Sequence, residues 1–454
     1  MSKETSDLLD RFFKIFEQQD KSKVQEFKQF MDKFGVYFNL YKDEKFIERS
    51  LPFDLVPRLM SAKEFNQLER GLSQRINALN LFLEDLYTDQ KIIKDKIIPI
   101  EFVEQAEGYL KELHGYSPNK KLRTHINGID LVKDSITDKW IILEDNLRVP
   151  SGASYPLSVR DTYRKIYPDF FEHMHIKPIK DYPGFLEESM NYVNCDGINV
   201  VLTPGRFNSA YYEHSYLAQK SNAYLVRNHE LVVKNKKVYF KNYNGKLIKV
   251  GAIYRRLDDE FIDPSFFNPE SLIGVSGLMD AYLAGNVAIL NAPGNGVGDD
   301  KGIYYFVPQM IKYYLGEEAI LSNAPTYLPY FEEDKKYIFE NISKLVIKDV
   351  AEAGGYGVLF GHTMTKEALE GLKRTIEAEP RRFIAQELIE FYDEKCFMDG
   401  EIVERKADFR AYVVMAEKPK VWSCGLTRFA LEAGNYLVNS SQGGGFKDTW
   451  IIGE

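Results

Sequence analysis

Apolar positions along the chain change period several times, and each change marks an element. Residues 1–34 are heavily charged and carry Leu8, Leu9, Phe12, Phe13 and Phe16 at helical spacing. Residues 35–41 alternate like a strand, and Pro52 and Pro57 punctuate the segment that follows. From Phe65 to Tyr87, the positions Leu68, Leu72, Ile76, Leu79, Leu83 and Leu86 trace one face of a long helix, a stripe that core packing explains. Two short apolar stretches, 127–132 and 140–146, flank Asp134-Ser135-Ile136-Thr137-Asp138, a polar set typical of a hairpin turn. Residues 159–171 read as helix.

The texture shifts near Asn199. Residues 200–205 form a short apolar strand running into a glycine turn, 212–221 a helix and 224–226 another strand. Residues 231–233 and 238–240 flank a turn. This order predicts a small α/β lobe with parallel strands. Residues 250–254 lead into the polar knot Arg255-Arg256-Leu257-Asp258-Asp259-Glu260, and 285–296 is an apolar run entering a Gly/Asn/Pro loop. In the last third, strand 345–348 precedes the glycine-rich segment 353–361, which runs back into a strand. A helix over 366–378, strands at 383–389 and 409–414, and a second glycine-rich turn at 439–445 complete the pattern.

At 454 residues the chain is long enough for two or three lobes. Its 44% apolar and 28% charged composition is that of an ordinary globular protein, and a net charge of -8 argues against general nucleic-acid binding. The three cysteines, Cys195, Cys396 and Cys424, have no CxxC spacing, and no apolar run approaches a membrane span. A cytoplasmic location with buried, reduced thiols is the expectation.

Three features carry chemistry. The 140–146 strand delivers Glu144 and Asn146 to one side, and Asp130 can lie beside Glu144 on a paired strand. Two carboxylates and an amide oxygen suit a hard cation held against phosphates. A hairpin whose acids face water fits the same pattern. Lys348 ends an apolar strand ahead of the glycine-rich segment, in an order that is neither a Walker A nor a Rossmann turn, since both open a helix. Flexible backbone over phosphates with lysine as a point charge suits it, as does a tight hairpin with a solvated lysine. The 255–260 knot is either a surface salt-bridge cluster or a bidentate grip on a carboxylate or phosphate. Two glycine-rich loops, a lysine-ended strand and an acid pair together point to nucleotide chemistry. The seven histidines sit in no triad-like or metal-like spacing.

Ordered motifs then reveal a resemblance: 48–58, 71–83, 143–152 (Leu-Glu-Asp-Asn-Leu-Arg-Val-Pro-Ser-Gly), 254–264, 346–359, 425–431 and 438–450. The chain resembles, from about Gly35 to Ile452, a circularly permuted ATP-grasp protein of the glutathionylspermidine-synthase-like group. The resemblance implies an α/β fold with α+β lobes. Its parts would be an N-terminal helical cap (1–65), the permuted C-terminal part of the core with the Mg2+ site (66–155), a pre-ATP-grasp-like α/β substrate lobe (156–325) and the small ATP subdomain with the rest of the core (326–454).

Carried over, it implies Asp130, Glu144 and Asn146 as Mg2+ residues and Lys348 on the α- and β-phosphates. Gly354, Gly355 and Gly357 would cover the phosphates. Gln386, Glu387, Leu388 and Ile389 would form the adenine hinge, with Asn439 a further nucleotide contact. Arg410 and Arg428 would face the transferred phosphate, Arg148 would assist, and Arg255, Arg256, Asp258 and Asp259 would recognise the acceptor. Some ATP-grasp ligases carry arginine where this chain has Gly128, with Arg148 or Arg410 as substitutes. The implied activity is an ATP- and Mg2+-dependent carboxylate–amine ligase using an acyl phosphate, its acid and amine unspecified. The alternatives are a phosphotransferase without an amine acceptor and a nucleotide-binding regulatory or scaffolding protein.

Overall fold

The long helix predicted at 65–87 is the spine against which the main sheet packs. In the computed structural model, which describes residues 3–33, 37–42, 45–50, 52–350, 357–438 and 444–453, it spans Ala62–Tyr87. Ser61 caps it, its Oγ accepting from the Glu64 backbone N–H at 3.2 Å. Every member of the apolar stripe is buried. A Cβ on Gly71 would stand 2.4 Å from Leu321 Cγ, so glycine, although about 1 kcal/mol poorer than alanine in a helix, lets the two segments meet.

Helices Lys3–Glu17 and Ser22–Lys33 bring Phe12 and Phe27 into the core, where Phe12 stacks on Phe170 at 4.7 Å. Strands β1 (Tyr37–Lys42) and β2 (Lys45–Ser50) form a hairpin, and β3 (Phe53–Ser61) leads into the long helix. Then β4 (Ile126–Lys133) and β5 (Trp140–Asn146) pair antiparallel, with Asp130 opposite Glu144 and Gly128 opposite Asn146. Leu143 is an extra residue on β5, a bulge beside the acid pair.

The middle lobe holds β6 (Ile198–Leu202), β7 (Tyr224–Val226), β8 (Leu231–Lys234), β9 (Lys237–Lys241), β10 (Leu247–Arg255) and β11 (Ala288–Leu290). Four of these (β6, β7, β10 and β11) run parallel, while β8 and β9 form an antiparallel hairpin. Short β12 (Ser322–Asn323) joins β5 in parallel. A four-stranded antiparallel sheet follows in the order β13 (Thr326–Tyr327), β16 (Phe383–Glu387), β14 (Leu345–Asp349), β15 (Val358–Phe360). It has its own small core, in which Leu372 and Ile376 of helix Lys366–Ala378 pack with Ile338 and Ile347.

The remaining strands are β17 (Asp393–Met398), β18 (Glu401–Met415), β19 (Pro419–Phe429) and β20 (Gly445–Ile452). The main sheet runs β12-β5-β4-β18-β19-β20-β3, with β17 against β18. Strand β18 is far longer than the 409–414 expected, because its first half pairs with β17 and its second half with β4. Strand β3, from the segment read as an N-terminal cap, lies parallel to β20 at the sheet edge.

Candidate functional site

A cleft of about 810 Å³ separates the main sheet from the four-stranded sheet. The main sheet contributes Asp130, Glu144, Asp408 and Arg428, and the smaller one Val346, Lys348, Val358, Phe360 and Gln386. Residues far apart in sequence thus face one another across it.

Strand alternation sets the acid side. Glu144 lines the cleft while neighbouring Asp145 is taken by Arg75 through two 2.6 Å hydrogen bonds, both side chains buried. Asp130 lies opposite Arg410 on β18, and Asp408 opposite Arg428 on β19. Arg410 donates from Nε and Nη2 to the two Asp130 oxygens at 2.6 and 2.8 Å, and Arg428 Nη2 reaches Asp130 at 2.8 Å. Arg428 also pairs with Asp408, its Nε donating at 2.9 Å. Two acids and two arginines therefore form one buried, formally neutral row. Burial pushes the Asp130 carboxyl up, but the Arg410 and Arg428 guanidiniums outweigh it and hold the group well below the usual carboxylate range. A Cβ at Gly128 would lie 2.9 Å from Pro150 Cβ and 3.2 Å from Arg410 Cδ, so the Arg410 stem occupies the space a side chain there would need.

Lys348 faces this row from β14. Burial, followed by the charge of Lys301, pushes its ammonium down to about 8 against the pull of Glu144 and Asp130. A lysine so placed is poised to gain a phosphate as its counter-ion.

The strand 383–389 leaves the sheet after Glu387, and Leu388 and Ile389 line the cleft as a connector. The Gln386 amide donates to Thr326 Oγ1 at 3.0 Å, and the Glu387 carboxylate accepts from Tyr337 Oη at 2.6 Å. Phe360, Phe391 and Tyr436 supply aromatic lining, with Tyr436 Oη donating to Glu390 at 2.6 Å. Gly357 has φ +69, a left-handed conformation that favours glycine. Gly354, Gly355 and Asn439 lie outside the described residues.

The other predicted residues sit elsewhere. Arg255 and Arg256 are 1% and 4% exposed, so the knot is no surface cluster. Arg255 donates to the Asn291 and Leu257 carbonyls at 2.8 and 2.7 Å and pairs with Asp259 at 2.9 Å. Arg256 donates to the Pro150 carbonyl at 2.8 Å and pairs with Glu213, whose carboxylate accepts from the Gly152 and Ser154 N–H groups at 2.8 and 3.0 Å. These contacts fasten the loop after β5 to the middle lobe. Asp258 is exposed. Arg148 is pinned by Asp299, which accepts from its Nε at 3.1 Å and from the Leu147 N–H at 2.6 Å.

Two further residues belong to the cleft. Asp408 precedes a strand that already advertised Arg410, and its partnership with Arg428 needed the β18–β19 register. Lys301 is buried at the cleft wall and follows Asp299-Asp300 after the glycine-rich loop. That juxtaposition of charge and loop was its sequence signal.

Among the described residues, no three His, Cys, Asp or Glu side chains form a ready metal cage. Mg2+ needs only one or two carboxylates plus phosphate oxygens. Glu144 opposite Asp130 on the paired strand, with the Asn146 amide oxygen two residues along β5, fits that lesser demand.

The family pattern described as circularly permuted ATP-grasp type 2 matches residues 57–430. An uncharacterised Synechocystis protein is 45% identical over 423 residues, covering 92% of this chain and 88% of its own. A Frankia casuarinae protein provisionally named glutamate--cysteine ligase 2-2 is 35% identical over 422 residues, 92% of this chain but 48% of that longer one. The solved structure of a glutathione synthetase-like effector from Globodera pallida shares the fold, with a TM-score of 0.61 at 12% identity over 96% of this chain and 98% of that one.

Proposed function

The chain belongs to the circularly permuted ATP-grasp type 2 family, and from that premise we propose that it is an ATP-dependent carboxylate–amine ligase working through an acyl phosphate. The observation that carries this reading is the meeting of Lys348 with Asp130 and Glu144 across one cleft. The relative named as a glutamate–cysteine ligase supports the reaction class.

ATP would lie with adenine against the 386–389 connector and its phosphates between Lys348 and the acid–arginine row. A substrate carboxylate oxygen attacks the γ-phosphorus, the bond to the β-phosphate oxygen breaks, and ADP leaves. An amine nitrogen then attacks the acyl carbon, inorganic phosphate departs and the amine loses a proton. Lys348, Arg410 and Arg428 neutralise the charge that spreads over the phosphate oxygens, so catalysis rests on positioning and electrostatics. Glu144, Asn146 and Asp130 would hold a divalent cation, which when bound supplies further charge neutralisation at the phosphates. Burial pushes the His125 imidazole down to about 3, which leaves it neutral and outside any acid–base role at neutral pH. Among the described residues no helix is long and apolar enough to cross a membrane, and we place the enzyme in the cytoplasm, where ATP is supplied.

The test is ADP release in the presence of Mg-ATP and single carboxylic acids, with hydroxylamine added to trap an acyl hydroxamate. Acid-dependent ADP release with hydroxamate is expected. Nucleotide binding without stimulation by any acid would refute the ligase.

A further inference from the structure

A second cavity of about 460 Å³ opens beside the nucleotide cleft. Glu144 and Lys301 line both spaces and so form the partition between them. We propose that this chamber is the subsite for the acid to be phosphorylated and that it receives a small α-amino acid. The proposal rests on the ligase reading and adds to it a place and a substrate class.

Position is the first argument. Phosphoryl transfer needs the attacking oxygen within about 3–3.5 Å of the phosphorus in a near-attack arrangement. The acid must therefore enter from a space that adjoins the phosphate end of the cleft. Lys348 and Glu144 mark that end, and the 386–389 connector marks the opposite one. The second chamber adjoins the Glu144 side.

Its lining is the second argument. Gly108 and Gly296 pass so closely that a Cβ on Gly108 would stand 2.3 Å from the Gly296 carbonyl carbon, and one on Gly296 would stand 2.6 Å from Arg148 Cδ. Side chains there would collide with the facing backbone and the Arg148 stem. Asp299 holds the Arg148 side chain by Nε, and among the described residues its two terminal nitrogens donate no hydrogen bond within the protein. Asn146 Nδ2 is a buried donor without a partner. Both groups are donors suited to a carboxylate.

The acids sort by elimination. Asp145 is committed to Arg75, Asp299 to Arg148, and Asp300 to Arg381 and to the N-terminus of helix Lys301–Tyr304. Glu144 faces the phosphate end. Glu107, exposed at the chamber, is left to meet a cation. Carboxylate donors in the chamber wall and one exposed acid beside them describe an ammonium-bearing carboxylic acid. A dicarboxylate or a polyamine matches only half of that lining.

The full-length protein, saturated with Mg-ATP, is assayed for ADP release with each of the twenty α-amino acids, with glutarate and with putrescine. Stimulation by at least one amino acid, lost on N-acetylation of that amino acid, is expected. Glu107→Gln and Arg148→Lys should each raise its KM by about tenfold or more, the loss of one charge-assisted contact, while the KM for ATP stays within about twofold. Glutarate stimulating while amino acids do not would overturn the substrate class and leave the ligase standing. An unchanged amino-acid KM in both variants would overturn the chamber as the subsite. No stimulation by any compound, with nucleotide binding intact, would sink the ligase reading and this proposal with it.

Discussion

Replacing Lys348 by methionine should strengthen the empty protein and weaken its hold on nucleotide. In the free state burial first, then Lys301, lower its ammonium from 10.5 to about 8, although Glu144 and Asp130 pull the other way. Between about pH 8 and 10.5 the folded chain therefore binds fewer protons than the unfolded chain, and stability rises with pH across that window. Below it the penalty is fully present. At about 1.4 kcal/mol per unit the shift corresponds to roughly 3 kcal/mol, and partial exposure of the side chain reduces this to about 1–2 kcal/mol. Methionine has similar length and no charge, so at pH 7 Lys348→Met should unfold at higher denaturant than the parent by about that amount. Any packing gain from methionine is independent of pH. The charge contribution is thus the part of the difference that disappears as pH rises from 8 towards 10.5. Calorimetry with a non-hydrolysable ATP analogue and Mg2+ should show affinity falling roughly 10- to 100-fold in the variant, the value of one charge-assisted contact to phosphate. Two results would refute the reasoning: a stability difference that does not vary with pH, or nucleotide affinity equal to the parent's.

Other outcomes follow from the same contacts. Asp130→Ala leaves Arg410 and Arg428 facing each other without their shared acid, and denaturant unfolding should register a loss of about 3–5 kcal/mol. Because Arg410 and Arg428 already occupy the Asp130 oxygens, titration with Mg2+ alone should give weak binding that tightens when ADP or ATP is present, and Glu144→Gln should abolish the tightening. Burial raises the Asp299 carboxyl to about 6 despite Arg148, so the folded chain binds the extra proton between about pH 4 and 6. Stability should fall as pH rises through that range, and Asp299→Asn should flatten the profile, as thermal unfolding at several pH values would reveal.

How legible the site was depended on the range of the interaction. The β4–β5 hairpin is set by period-two alternation and a polar turn a few residues long, so Asp130 opposite Glu144 could be anticipated from the local pattern. The helix Ala62–Tyr87 was equally open to reading, because its stripe from Leu68 to Leu86 is periodic over about five turns. By contrast, the Arg255–Glu260 composition is the same whether it is solvated or buried. Only the Asn291 and Pro150 carbonyls, each distant in sequence, reveal that these arginines fasten loops. Lys301 offered only a charge beside a loop, because its place in a wall shared by two cavities is a property of tertiary packing.

The departure at Gly128 shows how such long-range compensation works. Its backbone pairs opposite Tyr412, and the side chain two residues away on the same strand, Arg410, crosses above it to Asp130. A side chain at 128 would collide with that stem. The cation paired with Asp130 comes from the neighbouring strand, and glycine at 128 leaves room for its stem. With Arg428 and Asp408 the row is neutral before nucleotide arrives, so none of its charges is left uncompensated in the interior. Incoming phosphates can then compete for the arginines while a cation competes for Asp130. Such an exchange would keep each charge paired throughout and would make metal and nucleotide binding mutually dependent, the outcome that the Mg2+ titration checks.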